Sequence, residues 1–193
     1  MDENKFGQLR KYLTNHIHVN DEMFSAFCSK FKFKTFQRNE ILLKAGDICS
    51  HMYFVKSGCL RIFMLDAEGK ESTRFLVFED KFGTAFPSFT LQEPSLAFIQ
   101  SLETSKVLYI SYRDFQQLLN DYPEWERVYR INLEKDYIDS IKRIESLITV
   151  GAKDRYKLLI SNNQTLIKRL SSKIVADYLG ISQETLSRLK SKK

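Results

Sequence analysis

The chain has 193 residues, of which 43% are apolar and 28% are charged, and its formal net charge is +6. This composition is ordinary for a folded protein of one or two domains, so the disordered and fibrous classes are excluded. No apolar run approaches the ~20 residues of a membrane-spanning helix and the first residues lack a signal-peptide core, so we expect a cytoplasmic protein that does not contact a membrane.

The first stretch, residues 3–30, has apolar residues at helical spacing, among them Phe6, Leu9 and Leu13. We expect two helices here, the second capped by Asn20 or Asp21.

Residues 31–111 change to short runs rich in Phe, Val, Ile and Thr, punctuated by four of the seven glycines. Short strands with turn signals every 11 to 14 residues indicate an antiparallel barrel or sandwich. The hairpin turn is expected at residues 67–70, and residues 88–93, between two prolines, are expected to lie outside the strands. The predicted strands are Phe31–Phe36, Glu40–Lys44, His51–Lys56, Cys59–Leu65, Ser72–Phe78, Leu96–Leu102 and Lys106–Ile110.

After Ser111 the apolar residues again recur at helical spacing. Ser111 followed three residues later by Asp114 fits the cap pattern of a helix start, so we expect a helix to begin here. Pro123 suits the first turn of the next helix, and residues 124–149 contain neither glycine nor proline. A helix of this length spans about 39 Å, more than a small barrel covers, so we expect its apolar stripe to pair with a second copy of the chain. The stripe consists of Leu133, Tyr137, Ile141, Ile144 and Ile148.

The C-terminal 43 residues carry ten Lys and Arg against three Asp and Glu, so this segment has a charge of +7 and the first 150 residues a charge of −1. Such an asymmetry indicates a polyanion-binding module on a near-neutral body. After Gly151, which we expect to close the long helix, residues 153–160 predict a short helix.

Residues 172–191 fit a helix-turn-helix, a pair of helices joined by a sharp turn. Gly180 stands where the turn needs a positive φ, and Ser171 and Ser182 can cap the two helices. The positions that close the small core hold Val175, Ala176, Leu179, Ile181, Leu186 and Leu189.

The second helix of such a unit lies in the major groove, where its outward side chains contact base edges and cations contact phosphates. Arg suits guanine and Glu suits cytosine, so Arg188 and Glu184 are expected base contacts. The candidate DNA-binding residues are Ser182, Gln183, Glu184, Thr185, Ser187, Arg188, Lys190 and Lys173. Further phosphate contacts are expected from Lys168, Arg169, Lys192 and Lys193.

The order of barrel, long helix and helix-turn-helix resembles the catabolite-activator/fumarate-nitrate regulator (CRP/FNR) family of bacterial transcription factors. The segments that carry the resemblance are Ala45–Asp47, Met52–Gly58, Glu68–Glu71 and Leu179–Arg188. The resemblance implies an α+β fold with an antiparallel β-roll or jelly-roll sensor domain, a long dimerisation helix and an all-α helix-turn-helix. The corresponding domains are residues 1–122, 123–150 and 151–193.

The resemblance further implies a homodimer on a palindromic double-stranded DNA operator, with RNA polymerase as a further partner. The short form resembles regulators common in Bacteroidetes, and the β-hairpin wing that usually follows the recognition helix is expected to be absent.

The effector pocket departs from the family pattern. Members that bind cyclic AMP use an Arg for the cyclic phosphate and a Glu for the ribose, whereas this chain has Ser95 and Thr84 at those positions. A buried phosphate without a cation is costly, so we expect ordinary cyclic AMP not to bind, unless Arg74 or Lys81 supplies the charge. The degenerate pocket is expected to comprise Phe82, Gly83, Thr84, Ser95, Leu96 and Ser140.

No cofactor is specified by the sequence. Three scattered cysteines do not supply the four ligands of an iron–sulfur cluster, and the three histidines show no ligand pattern, so no metal site is expected. Two alternatives remain at this point. One is a ligand-binding module whose C-terminal segment docks a protein partner, and the other is a metal-dependent barrel enzyme, which chelation would inactivate.

Overall fold

The chain begins with two helices that cover one end of a β-roll. A computed structural model describes residues 3–162 and 168–191. Helix α1 (Glu3–Thr14) buries Leu9 and Leu13, and α2 (Asp21–Lys30) buries Phe27. Asn20 caps α2, because the Met23 amide donates to its side-chain oxygen at 2.8 Å. Both predicted helices and the cap at Asn20 are therefore confirmed.

Eight antiparallel strands form two four-stranded sheets. One sheet has the order β1-β8-β3-β6 and the other the order β2-β7-β4-β5. The strands are β1 (Lys32–Phe36), β2 (Ile41–Leu43), β3 (His51–Ser57), β4 (Leu60–Leu65), β5 (Glu71–Val77), β6 (Lys81–Gly83), β7 (Ala97–Ser101) and β8 (Ser105–Ser111). The predicted antiparallel roll is confirmed, and the apolar side chains between its sheets form the main core.

Two short elements were not predicted from the sequence. Strand β6 adds an edge beside β3, and helix α3 (Phe86–Leu91) occupies part of the segment expected to lie outside the strands. The predicted hairpin at residues 67–70 joins β4 to β5, and Gly69 adopts a φ of 76°, which suits glycine.

Two helices follow the roll, α4 (Tyr112–Asp121) and α5 (Pro123–Thr149). Ser111 caps α4 by accepting from the Asp114 amide at 3.1 Å, and Pro123 opens α5 as expected. Trp125 is buried among aromatic rings, including Phe27 at 5.3 Å and Phe115 at 6.0 Å between centroids. This cluster fixes the start of α5 against the roll.

Helix α5 ends at Thr149, and Gly151 occupies the position after the cap residue, where a glycine commonly ends a helix. Val150, in extended backbone, caps the helix, whereas the carbonyl of Gly151 accepts from Asp154 and Arg155 in the next helix. Gly151 therefore follows the end of α5, as predicted, but it lacks the positive φ of a glycine cap and begins the turn into α6 (Ala152–Asn162).

The last two described helices, α7 (Ser172–Leu179) and α8 (Gln183–Ser191), form the predicted helix-turn-helix. Ser171 accepts from the Ile174 amide and Ser182 from the Thr185 amide, so both predicted caps are confirmed. Gly180 has a φ of 65°, as the turn requires. The core positions are buried or half-buried: Val175, Ala176, Leu179, Ile181, Leu186 and Leu189.

Candidate nucleic-acid interface and effector cavity

Helix α8 presents a polar, accessible face. Glu184 and Arg188 have side chains that are 85% and 78% exposed, and they approach each other only to 3.9 Å. Ser182, Gln183 and Ser187 are also exposed, whereas Thr185 is half-buried. An ion pair this loose and this exposed contributes little, so both side chains are free to contact other groups.

Two predicted contact residues have partners within the protein. The Lys190 ammonium donates to the Ser172 hydroxyl at 2.9 Å, and Lys173 lies 3.4 Å from Glu71 of β5. Both lysines keep accessible side chains near the start of α7. In helix-turn-helix proteins the first helix crosses the DNA backbone, so positive charge at this position suits contact with phosphates. Lys192 and Lys193 lie outside the described residues.

Helix α7 packs against β5 of the roll through a half-buried carboxylate. Asp177 accepts from Arg61 at 2.9 Å and from the Thr73 amide at 2.7 Å, and it also bonds the Thr73 hydroxyl. Arg61 is 1% exposed and donates further to Thr73 at 2.7 Å and to Glu71 at 3.0 Å. Since a buried guanidinium without partners would be strongly destabilising, this network holds the helix-turn-helix in one orientation on the roll.

Arg169 forms a second link and is not a free cation. Its guanidinium donates to both carboxylate oxygens of Glu79, at 2.8 and 2.9 Å, and to Glu103. Partial burial acts to raise the pKa of Glu79, but hydrogen bonds from Arg169 and from backbone amides, together with the charge of Arg169, outweigh this and the pKa lies below the ordinary value. In this conformation Arg169 therefore holds the roll, and its predicted role as a phosphate contact is wrong.

A cavity of about 430 Å³ lies between the roll and α5. Its wall is mostly apolar and aromatic, and Tyr178 of α7 also contributes to it. The other apolar lining residues are Met52, Ile62, Phe75, Leu76, Val77, Phe82, Phe86, Phe115, Trp125, Val128, Tyr129, Leu133, Tyr137, Ile141 and Ile144. A volume of this order suits a small organic ligand.

The structure brings four of the six predicted pocket residues together: Phe82, Gly83, Thr84 and Ser140 line the cavity. Ser95 and Leu96 do not line it. The Ser95 hydroxyl turns inward to bond the amide and carbonyl of Ala97, at 3.0 and 2.9 Å, and Leu96 is 82% exposed. Including these two residues in the pocket was wrong, because the side chain of Ser95 closes its own turn.

Three cations line the cavity: Arg74, Lys81 and Arg143. The sequence had indicated the first two as substitute cations, and the third was missed. Arg143, on α5, donates to the carbonyls of Tyr178 at 2.8 Å and Thr73 at 3.0 Å, and its guanidinium lies 4.1 Å from the centroid of the Tyr178 ring. No ion pair involves any of the three cations within residues 5–161 and 168–191.

Two polar groups of the cavity wall, the Trp125 indole and the Asp136 carboxylate, have unfavourable surroundings. The Trp125 indole N–H is buried and finds no acceptor in the described part of the chain, which is costly in an apolar environment. Asp136 also lines the cavity, and burial, together with the neighbouring Asp139, raises its pKa above the ordinary value despite Lys81 and Lys135.

The cysteines are free and buried. Burial raises the pKa of Cys28 to about 11 and that of Cys59 to about 12, so neither is a reactive thiolate near neutral pH. Among the described residues, no three His, Cys, Asp or Glu side chains lie close enough to hold a metal ion. Within the same residues, no helix has the length and apolarity to span a membrane.

Comparison with known proteins agrees with this architecture. Residues 33–122, which comprise most of the roll and α4, match the cyclic nucleotide-binding domain family. The chain is 28% identical to the anaerobic regulatory protein of Haemophilus influenzae, over 90% of this chain and 77% of that protein.

Solved structures share the fold. The c-di-GMP-responsive global regulator CLP of Xanthomonas campestris superimposes with a TM-score of 0.74 at 18% identity, covering 90% of this chain and 91% of that one. A CRP/FNR family regulator from Eubacterium rectale gives a TM-score of 0.70 at 18% identity, covering 93% and 85%. The fold is thus a β-roll followed by a C-terminal helical region. The chain is thus similar in sequence to anaerobic and fumarate-nitrate regulators, and similar in fold to a CRP/FNR regulator.

Proposed function

We propose that the protein is a homodimeric transcriptional regulator that binds double-stranded DNA sequence-specifically and is not an enzyme. The observation that carries the proposal is the capped helix-turn-helix whose second helix exposes Gln183, Glu184 and Arg188. Relatives that match most of the chain are named as regulators, which supports the same function in the bacterial cytoplasm.

In this proposal α8 enters the major groove, and Lys173 and Lys190 contact phosphates beside it. Two copies of α8 in a dimer read a palindromic operator, and RNA polymerase is the further partner. Residues 1–122 act as the sensor, residues 123–150 as the dimerisation helix and residues 151–193 as the DNA-binding domain.

The exposed apolar side chains of α5 support the dimer. Ile144 is 52% exposed and Ile148 is 77% exposed in the single chain. A row of such residues on one helix is costly in water, and a second copy of α5 would bury it.

The cavity between the roll and α5 is the proposed effector site. Its apolar wall and its unpaired cations support a small organic effector, and the position of Ser95 outside the cavity weighs against ordinary cyclic AMP. Tyr178 of the DNA-binding segment contributes to the wall, so occupancy can be sensed at the helix-turn-helix.

Gel retardation with fragments of the source genome tests the function. We expect the wild-type protein to retard a small subset of fragments and the double variant Gln183→Ala, Arg188→Ala to lose this selectivity. Arg113→Ala removes an exposed arginine from α4 and should leave retardation unchanged. Retardation of no fragment, or of all fragments equally, would favour the protein-docking alternative.

A further inference from the structure

Arg143 stands at the boundary between the cavity and the helix-turn-helix. Its side chain lines the cavity, and its two terminal nitrogens donate to one carbonyl of the roll and one carbonyl of α7, those of Thr73 and Tyr178. One side chain on α5 thus fastens the DNA-binding segment to the sensor and borders the space that a ligand would occupy.

The bonds that Arg143 makes are weaker than those it could make with an acid. Its hydrogen-bond acceptors are neutral carbonyls, and no carboxylate of the described residues forms an ion pair with it. A guanidinium binds a carboxylate, sulfonate or phosphate through two parallel, charge-assisted bonds, which are roughly twice as strong as neutral ones. An acid in the cavity would therefore compete well for the same nitrogens.

The charges of the cavity wall also favour an anion. Three cations, Arg74, Lys81 and Arg143, face two acids, Asp136 and Asp139. The raised pKa of Asp136 reduces its negative charge further at mildly acidic pH. The remaining wall is largely aromatic and aliphatic, so an anion with an apolar body matches it better than a sugar or a free phosphate does.

We propose that the cavity binds an amphipathic anion whose acidic group is held by Arg143, and that this interaction draws Arg143 away from Tyr178 and Thr73 and loosens the docked helix-turn-helix. The proposal rests on the cavity being the effector site. Because ligand and docking compete for one side chain, the coupling is reciprocal, and loosening the docked state by other means strengthens ligand binding.

Anilinonaphthalene sulfonate (ANS) is a suitable probe, because it joins an apolar aromatic body to one acid and fluoresces when buried. N-phenylnaphthylamine has the same rings without the sulfonate and is the matched neutral probe. We expect the wild-type protein to bind ANS more tightly than the neutral probe, and Arg143→Gln to weaken ANS binding by roughly tenfold while leaving the neutral probe unchanged. Arg127→Gln, an exposed position on α5 outside the cavity wall, is the control.

Arg143→Lys separates the two roles. It keeps the charge but loses the fork that bridges the two carbonyls, so we expect ANS binding within a few-fold of wild type and loss of the docking contacts. Hydrogen exchange at residues 172–179 reports docking. ANS should lower protection there in the wild type, whereas Arg143→Lys should show low protection with or without ANS.

Three results would overturn the proposal: no binding of ANS, equal loss of both probes in Arg143→Gln, or unchanged protection of residues 172–179 when ANS is bound. These results do not depend on DNA. Failure of the wild-type protein to bind any duplex would instead refute the proposed function, whatever the probes show.

Discussion

Arg188 and Glu184 lie one turn apart on the exposed face of α8 and have only a loose contact with each other. Arg188 should therefore read a base. We expect Arg188→Ala to cost ~1–3 kcal/mol on the preferred site and to relax preference at one base position in each half-site. Fluorescence anisotropy with matched and mismatched duplexes measures both effects.

Lys168→Ala is the matched comparison, since Lys168 is exposed on the same segment and is expected to contact phosphate only. The substitution should weaken binding to all sequences alike. It should also lower, by about one, the magnitude of the slope of log binding constant against log salt concentration. If both substitutions weakened specific and random duplexes equally, Arg188 would be another phosphate contact and not a reader of sequence.

Ser95 provides a second prediction at the scale of single residues. It is buried, bonded to Ala97 and outside the cavity wall, so it cannot neutralise a cyclic phosphate. We expect titration calorimetry to detect no binding of cyclic AMP at micromolar concentrations. A micromolar Kd would contradict this and would assign the missing charge to Arg74 or Lys81.

At the scale of elements, the docking of α7 on the roll depends on ionised carboxylates. Despite partial burial, hydrogen bonds from Arg169 and from backbone amides, together with the charge of Arg169, hold the pKa of Glu79 below its unfolded value of about 4.5. The stabilisation is therefore complete above that pH and is lost as the pH falls through the lower, folded pKa. Arg169→Gln removes this contribution. The melting temperature of the wild type should exceed that of the variant at neutral pH, and the difference should shrink below about pH 4.5.

Thermal unfolding followed by circular dichroism from neutral to acidic pH measures that difference. Lys168→Gln, which removes an exposed neighbouring cation, controls for the loss of positive charge. A difference that stayed constant across the whole range would show that the Arg169 ion pairs do not stabilise the docked conformation.

The elements that sequence reasoning predicted well are those specified by local signals. The caps and the turn depend on contacts within three or four residues, so residue type and spacing are enough to predict them. They are formed by Ser111, Ser171, Ser182 and Gly180. Strand β6 and helix α3 were missed because each is short and is held by neighbours distant in sequence.

The docking contacts and most of the cavity wall were beyond the reach of sequence reasoning. Asp177 and Arg61 are 116 residues apart, and neither residue type nor spacing indicates that they meet. Arg169 was misassigned for the same reason, since its acidic partners lie in the roll. The sequence did indicate Arg74 and Lys81, but Arg143 is one of several cations on a long helix and gains its role only from the packing of α7.

At the scale of the whole molecule, we expect α5 to determine the oligomeric state. Ile144→Asp together with Ile148→Asp places two charges in the proposed dimer interface, and we expect monomers by light scattering. Leu158→Asp, at a half-exposed position on α6, should remain dimeric. A wild-type protein that is monomeric at micromolar concentration would contradict the dimer.

The central claim is that this dimer reads DNA sequence through α8. Selection of bound duplexes from a random pool tests it most directly, because it requires no knowledge of the operator or effector. We predict enrichment of a two-fold symmetric site whose half-site centres lie about 34 Å apart, one turn of the double helix, and loss of that site with Gln183→Ala, Arg188→Ala. Recovery of no enriched sequence, or of the same sequences with the variant, would contradict the account.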